Sequence, residues 1–167
     1  GRICSKEWGA IRRYYPYGDR DVKTARRLAF EIPATPAVVD AFCARADAWL
    51  IEGGLGTESF PVAMLLRESL NNSMLHGCGS DPDRFIRCDI RLGRKWLHIM
   101  VADDGPGFDW SCRLKRRAGI TECHGRGLQI YQLYSDAVEF NRRGNRVRLR
   151  RRIPGGYSHD DSPSPAK

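Results

Sequence analysis

Several patterns that would assign a function quickly are absent from this chain of 167 residues. Its six cysteines form no Cys-x-x-Cys pair, so their spacing does not predict a zinc site. No apolar run approaches the roughly 20 residues that cross a bilayer, and no secretory leader is recognisable. We therefore expect a cytoplasmic protein without a membrane partner, and we expect its thiols to be reduced.

Common nucleotide-binding and kinase signatures are missing as well. The chain has no Gly-x-x-x-x-Gly-Lys-Ser/Thr phosphate loop. It has no His-Arg-Asp and Asp-Phe-Gly pair of the kind found in ordinary protein kinases. No segment resembles a dinucleotide-binding βαβ unit, and no internal repeat is visible. These absences exclude the most familiar ways of handling a nucleotide.

The composition is that of a globular protein with an excess of positive charge. Hydrophobic residues make up 41% and charged residues 29%, and the length suits one domain with a real core. The net charge of +8 indicates an anionic partner, which could be a nucleic acid, a nucleotide or an acidic protein surface. Much of the excess is local, and a solvated strand face is the alternative interpretation. The densest cluster contains Arg142, Arg143, Arg146, Arg148, Arg150, Arg151 and Arg152.

Hydrophobic periodicity and turn residues predict an α/β protein. The expected elements are a strand at 27–32, helices at 36–52 and 57–75, strands at 85–92 and 95–103, a helix at 128–135, and strands at 136–141 and 146–153. This order predicts a two-layer sandwich, in which a mixed, mostly antiparallel sheet carries its helices on one face. Residues 27–153 would form this domain. Residues 1–26 would be an N-terminal extension or linker, and residues 154–167 a disordered tail.

One stretch of the second helix carries unusual polar residues. Helical spacing places Glu68, Asn72 and His76 in one row. A neighbouring apolar row would face the core, and its members are Leu66, Leu70 and Met74. An asparagine beside a glutamate offers an oxygen ligand to Mg²⁺ and leaves the carboxylate to act as a base. Spacing alone does not distinguish Asn71 from Asn72 as the partner of Glu68, because both lie about one turn away.

Two glycine-containing segments have chemical potential of their own. Asp104, Gly105 and Gly107 follow the second hairpin strand, where an aspartate could accept a hydrogen bond from an amino group such as that of adenine. The run from Gly125 to Gly127 opens the third helix, where free N–H groups and the helix dipole favour phosphate. Either segment alone would be an ordinary turn.

In this order and spacing, the three groups resemble the ATP-binding domain shared by gyrase, histidine kinases and the mismatch-repair ATPases. The resemblance covers about residues 27–153. Within that superfamily, the chain is most similar to the bacterial anti-sigma factor serine/threonine kinases. The motifs that support this are the stretch from Glu68 to Gly77, the segment from Asp104 to Asp109, and the run from Gly125 to Ile130.

The resemblance implies a Bergerat-type sandwich that binds ATP with Mg²⁺. Glu68 would be the general base, and Asn72 would hold the metal. Asp104 would recognise adenine, with Gly105 and Gly107 shaping that pocket. His76 would have a structural role. The phosphates would be cradled by Gly125, Arg126 and Gly127, followed by Leu128.

The first functional hypothesis is therefore a partner-switching kinase. It would phosphorylate a serine or threonine of a STAS-type anti-anti-sigma protein, and it would also bind a sigma factor as a homodimer. A nucleotide-dependent switch without transfer activity and the catalytic domain of a histidine kinase are alternatives. Nucleic-acid binding through the strand at 146–152 ranks last, because its arginines alternate with core residues. The basic segment between the second and third motifs leaves the identity of the partner open.

Overall fold

A single antiparallel sheet supports three helices in the computed structural model, which describes residues 12–13, 26–107 and 126–157. The strands are β1 (Arg12–Arg13), β2 (Arg26–Pro33), β3 (Phe85–Leu92), β4 (Trp96–Asp103), β5 (Ala137–Phe140) and β6 (Arg146–Arg152). The helices are α1 (Pro36–Glu52), α2 (Ser59–Asn72) and α3 (Arg126–Tyr134). A 3₁₀ turn at Gly56–Glu58 precedes α2, and a π-helical turn at Ser73–Gly77 extends it.

The strand order is β1-β2-β3-β4-β6-β5, and each pair among the described strands is antiparallel. This confirms the α/β sandwich, although the expected mixed sheet is antiparallel in every described pair. The two hairpins, β3–β4 and β5–β6, lie where the alternation of the sequence predicts them. Because side chains alternate across a strand, each strand gives one face to the core and one to the outside.

The helix-facing side of the sheet is strongly apolar. In β3, the apolar residues that alternate with the charged ones are fully buried: Ile86, Cys88, Ile90 and Leu92. Cross-strand neighbours continue this face through Ile99 and Val101 of β4 to Val147 and Leu149 of β6. The core therefore lies between this face and the helices.

Helix α1 begins and ends where its residues indicate. Thr35 is the N-cap residue with extended backbone, although its side chain makes no capping hydrogen bond, and Pro36 starts the first turn. Gly53 and the left-handed Gly54 end it. The apolar residues that recur at helical spacing are buried, among them Val38, Val39, Phe42, Ala46 and Trp49.

The ends of the chain differ from the predicted boundaries. The backbone of β1 pairs with Glu31 and Phe30 of β2, so part of the N-terminal extension adds a strand to the sheet edge. At the other end, Tyr157 is buried, and its N–H donates to the carbonyl of Arg94 over 2.6 Å. The prediction of disorder from residue 154 is therefore wrong for residues 154–157. The remaining tail, 158–167, lies outside the described residues.

Candidate functional site

The polar row of α2 contains a direct hydrogen bond. Asn72 Nδ2 donates to Glu68 Oε1 over 2.8 Å, and both side chains are half-buried. The bond identifies Asn72, rather than Asn71, as the side chain joined to Glu68. Asn72 uses its amide nitrogen in both of its hydrogen bonds, and no described residue donates to its Oδ1. The pair therefore presents one free carboxamide oxygen and one carboxylate on the same helix face.

The start of α3 packs directly against this pair. A Cβ added at Gly127 would overlap Oε1 of Glu68 and would stand 2.8 Å from its Cδ. No residue larger than glycine can occupy this position unless the carboxylate moves. The predicted first and third motifs are therefore in contact. Leu128, next in α3, packs against the hydrophobic core and anchors this end of the helix.

Tyr131 lies one turn after Gly127 on α3 and contacts Asn72. Its hydroxyl is 3.4 Å from Asn72 Nδ2, and the residue is buried. Burial raises the pKa of Tyr131; hydrogen bonds with Ser69 and Asn72 oppose the shift, and the nearby charge of Glu68 adds to it. A neutral hydroxyl thus contacts the carboxamide that would meet the metal. Tyr131 is not among the site residues predicted from the sequence.

The strand-end carboxylate that faces the interior belongs to Asp103, not to Asp104. Asp103 is opposite Ile86 and on the same strand face as Val101, so it points to the helix side and is 4% exposed. The side chain of Asp104, one residue beyond β4, is 75% exposed and forms an ion pair with Arg87. An exposed carboxylate engaged by arginine is poorly placed to select a purine. The structure thus gives no support to the adenine-binding role predicted for Asp104.

Close backbone approach holds the Asp103 carboxylate in place. The N–H of Gly105 donates to Asp103 Oδ1 over 2.8 Å. A Cβ on Gly77 would overlap this carboxylate, and a Cβ on Gly105 would stand 2.6 Å from the Cα and carbonyl carbon of Gly77. The π-helical turn that extends α2 brings Gly77 to this position. Local departures from α-helical geometry of this kind are frequent at functional sites.

The β5–β6 turn supports the same strand end from the other side. Asn145 Nδ2 donates to the Asp103 carbonyl over 2.7 Å, and the Asp103 N–H donates to the Asn145 carbonyl over 3.0 Å. Gly107 has φ +77°, and a Cβ there would stand 2.7 Å from the Arg143 carbonyl carbon. Asp103, Gly105 and Gly107 thus form a rigid corner.

Some predicted site residues contribute less, or lie beyond what the structure describes. Gly125 lies outside the described residues, as does the Arg126 side chain, although Arg126 is the first residue of α3. His76 is on the π-helical turn and is exposed. The apolar row beside the polar one is buried as predicted, and its members are Leu66, Leu70 and Met74.

The oxygen donors of this site suit a hard cation that takes few of its ligands from the protein. Within residues 26–107 and 127–157, no cluster of three or more His, Cys, Asp or Glu side chains could hold a metal by itself. Mg²⁺ commonly takes one or two protein oxygens and fills its other positions with water and phosphate oxygens. The free Oδ1 of Asn72 meets that requirement. The described cysteines add no ligands, because Cys43, Cys78 and Cys88 are buried free thiols whose pKa values are raised chiefly by burial.

Two of the residues above could have been found from spacing. Asp103 begins a complete Asp-x-Gly-x-Gly pattern, and the strand period of two places it on the buried side with Val101. Tyr131 is four residues after Gly127, so helical spacing puts both on one face of α3.

A match to a known protein family covers most of the domain. The family model described as the histidine kinase-like ATPase domain matches residues 32–151. This span contains the Glu68–Asn72 pair, the Asp103 corner and the start of α3. No curated protein matches the chain significantly. In the described ranges, no helix is both long and apolar enough to cross a membrane.

Proposed function

Because the chain belongs to the histidine kinase-like ATPase domain family and is thus an ATP-binding, kinase-type domain, we propose that it is a Mg-ATP-dependent serine/threonine protein kinase. Its proposed substrate is a STAS-domain anti-anti-sigma protein. It would act as an anti-sigma factor or related partner-switching regulator and would also bind a sigma factor as a homodimer. The observation that carries the proposal is the Glu68–Asn72 pair with Gly127 against it.

The proposal assigns adenine recognition to Asp103 in place of Asp104. A fixed, buried carboxylate can accept a hydrogen bond from the exocyclic amino group of adenine at one position only. Oδ1 of Asp103 already accepts from Gly105, which leaves Oδ2 for the base. The close approach of Gly77 and Gly105 limits rotation of the carboxylate, which favours adenine over a base with a carbonyl at that position.

Asn72 would hold Mg²⁺ through Oδ1. The ion, when bound with ATP, supplies positive charge that neutralises the phosphate oxygens. The Tyr131 hydroxyl, on the other side of the carboxamide, would keep Asn72 oriented with its oxygen outward. The N–H groups at the start of α3 would stabilise phosphate charge.

Glu68 would act as the base. Its carboxylate takes the proton of a serine or threonine hydroxyl as the hydroxyl oxygen bonds to the γ-phosphorus and the bond to the ADP oxygen breaks. The hydrogen bond from Asn72 orients the carboxylate and leaves the second oxygen, Oε2, for the incoming hydroxyl.

The direct experiment mixes the protein with Mg-ATP and each STAS-domain protein of its own genome, followed by mass spectrometry. The expected result is one phosphorylated serine or threonine on one STAS protein. Nucleotide binding without transfer to any STAS protein would overturn the kinase assignment and favour a non-catalytic switch. Transfer to histidine would favour the catalytic domain of a histidine kinase instead.

A further inference from the structure

A row of four arginines occupies the outer face of β6. Val147 and Leu149 point to the core, so the alternating residues point away from it. The four outward residues are Arg146, Arg148, Arg150 and Arg152, and all are exposed. Alternation with core residues, which argued against a binding role on sequence grounds, is what places these four side chains in one outward line. We call this line the β6 arginine row.

The row has little compensating negative charge. None of its four guanidinium groups forms an ion pair with a described residue. Its cross-strand neighbours on β4 are Trp96, His98, Met100 and Ala102. Two acidic residues lie beside the row: Glu139 of β5 is opposite Arg148, and Asp136, just before β5, accepts through Oδ2 from the Arg152 N–H over 2.7 Å. Four like charges that form no ion pair with a described residue repel one another, so this face is best stabilised by an anion.

The spacing of the row suits a polymer of phosphates. Successive outward residues of an antiparallel strand lie about 6.8 Å apart, so the four span about 20 Å. That repeat is close to the distance between neighbouring phosphates of an extended single nucleic-acid strand. A flexible single strand can follow the line of the row, whereas the backbone of each strand in a rigid duplex winds around the helix axis and leaves that line.

An aromatic side chain lies at one end of the row. Trp96 is half-buried, and the Arg150 guanidinium is over its ring at 5.6 Å from the centroid. Aromatic rings and arginine planes beside a basic track are the elements on which single-stranded bases stack. We propose that the β6 arginine row is a binding site for single-stranded nucleic acid, read through its phosphates.

Other occupants fit less well. A second copy of this chain on the same face would set arginines against arginines. A stable protein interface has a largely apolar centre. The row offers little apolar surface of this kind, because its large apolar neighbours on β4 are Met100 and Trp96, and Arg150 partly covers Trp96. The site is on the sheet face opposite the helices, so it is separate from Glu68 and Asn72. The inference is independent of the kinase proposal.

The test measures binding of a labelled oligothymidine of about 12 nucleotides, a length within the usual footprint of single-stranded sites. If all four arginines contact phosphates, the slope of log K against log salt should be about −2.8, and affinity should fall about 50-fold between 50 and 200 mM KCl. The variant R148S/R150S should show a slope of about −1.4 and a loss of only about 7-fold over the same range.

Arg45→Ser is the matched control, because Arg45 is an exposed arginine on α1, in the helix layer. It should leave the slope unchanged, and the melting temperature of each variant shows that it is folded. The inference is overturned by no binding in 50 mM KCl, or by an unchanged slope in the double variant. It is also overturned if polyglutamate binds as tightly as the oligothymidine, since the row would then serve acidic protein. Tighter binding of a duplex than of the single strand would likewise refute it.

Discussion

Replacing Gly127 with alanine should disable the site and leave the fold intact. The new Cβ would overlap Glu68 Oε1 and stand 2.8 Å from Glu68 Cδ, whereas non-bonded carbons normally approach no closer than about 3.5 Å. The carboxylate must therefore retreat by roughly 1 Å. That movement breaks the 2.8 Å hydrogen bond from Asn72.

The effects on stability and on activity should separate. Loss of one hydrogen bond costs about 1 kcal/mol, and the better helix propensity of alanine offsets up to about 1 kcal/mol of that. The free energy of unfolding should thus change by less than about 1 kcal/mol. A misplaced catalytic group, by contrast, can lower the rate about 100-fold for a shift of about 1 Å.

The assay pairs urea denaturation with ADP release from Mg-ATP. Gly56→Ala is the control, because a Cβ at Gly56 would meet nothing within 4 Å. This control should keep both stability and turnover. Wild-type turnover in Gly127→Ala would refute the contact between the start of α3 and Glu68. A loss of stability well above 1 kcal/mol would show that the glycine serves the fold rather than the site.

Three further predictions concern the rest of the site and the core. Asp103→Asn should weaken ATP binding about 10- to 100-fold, the worth of a hydrogen bond to a charged group. Asp104→Asn should change the affinity for ATP by less than about two-fold. If calorimetry shows equal losses of affinity in the two variants, adenine recognition by Asp104 is supported instead. Tyr131→Phe should lower the turnover number more than it raises the Michaelis constant for ATP, because the hydroxyl orients Asn72; steady-state kinetics with unchanged turnover would remove that role. The thiols Cys43 and Cys88 have pKa values raised by burial, that of Cys43 to about 11 from 9.0. Unfolding exposes thiols that ionise more readily, so denaturation should show stability falling as pH rises from 9 to 11, and a flat profile would contradict their burial.

The sheet and first helix were predictable because their residues repeat a clear local pattern. Ile86 to Leu92 alternate with charged residues, and the paired strands keep that register. The first helix carries its own start in Thr35-Pro36 and its own stop in Gly53-Gly54. Local chemistry and tertiary packing agree in these elements.

The site was predicted less completely, because it depends on contacts between distant segments. The pairing of Glu68 with Gly127 joins residues that are far apart in the chain, and resemblance rather than spacing indicated it. The π-helical turn after Asn72 has no sequence signal that we could use, yet it brings Gly77 against Asp103. The glycine pattern alone does not distinguish Asp104 from Asp103, whereas the strand period of two places Asp103 on the buried side. The ordered end at Tyr157 was missed because its packing partner, Arg94, lies in a distant turn.

Glu68 is the proposed base of a phosphoryl transfer to a hydroxyl. Its most direct test is the Glu68→Gln variant, with transfer to the STAS partner measured by mass spectrometry and Mg-ATP binding measured by thermal shift. Glutamine keeps the size of the side chain and can still accept from Asn72, but it cannot take a proton. We expect wild-type nucleotide binding, with transfer reduced by about 100-fold or more. Transfer at the wild-type rate would contradict it.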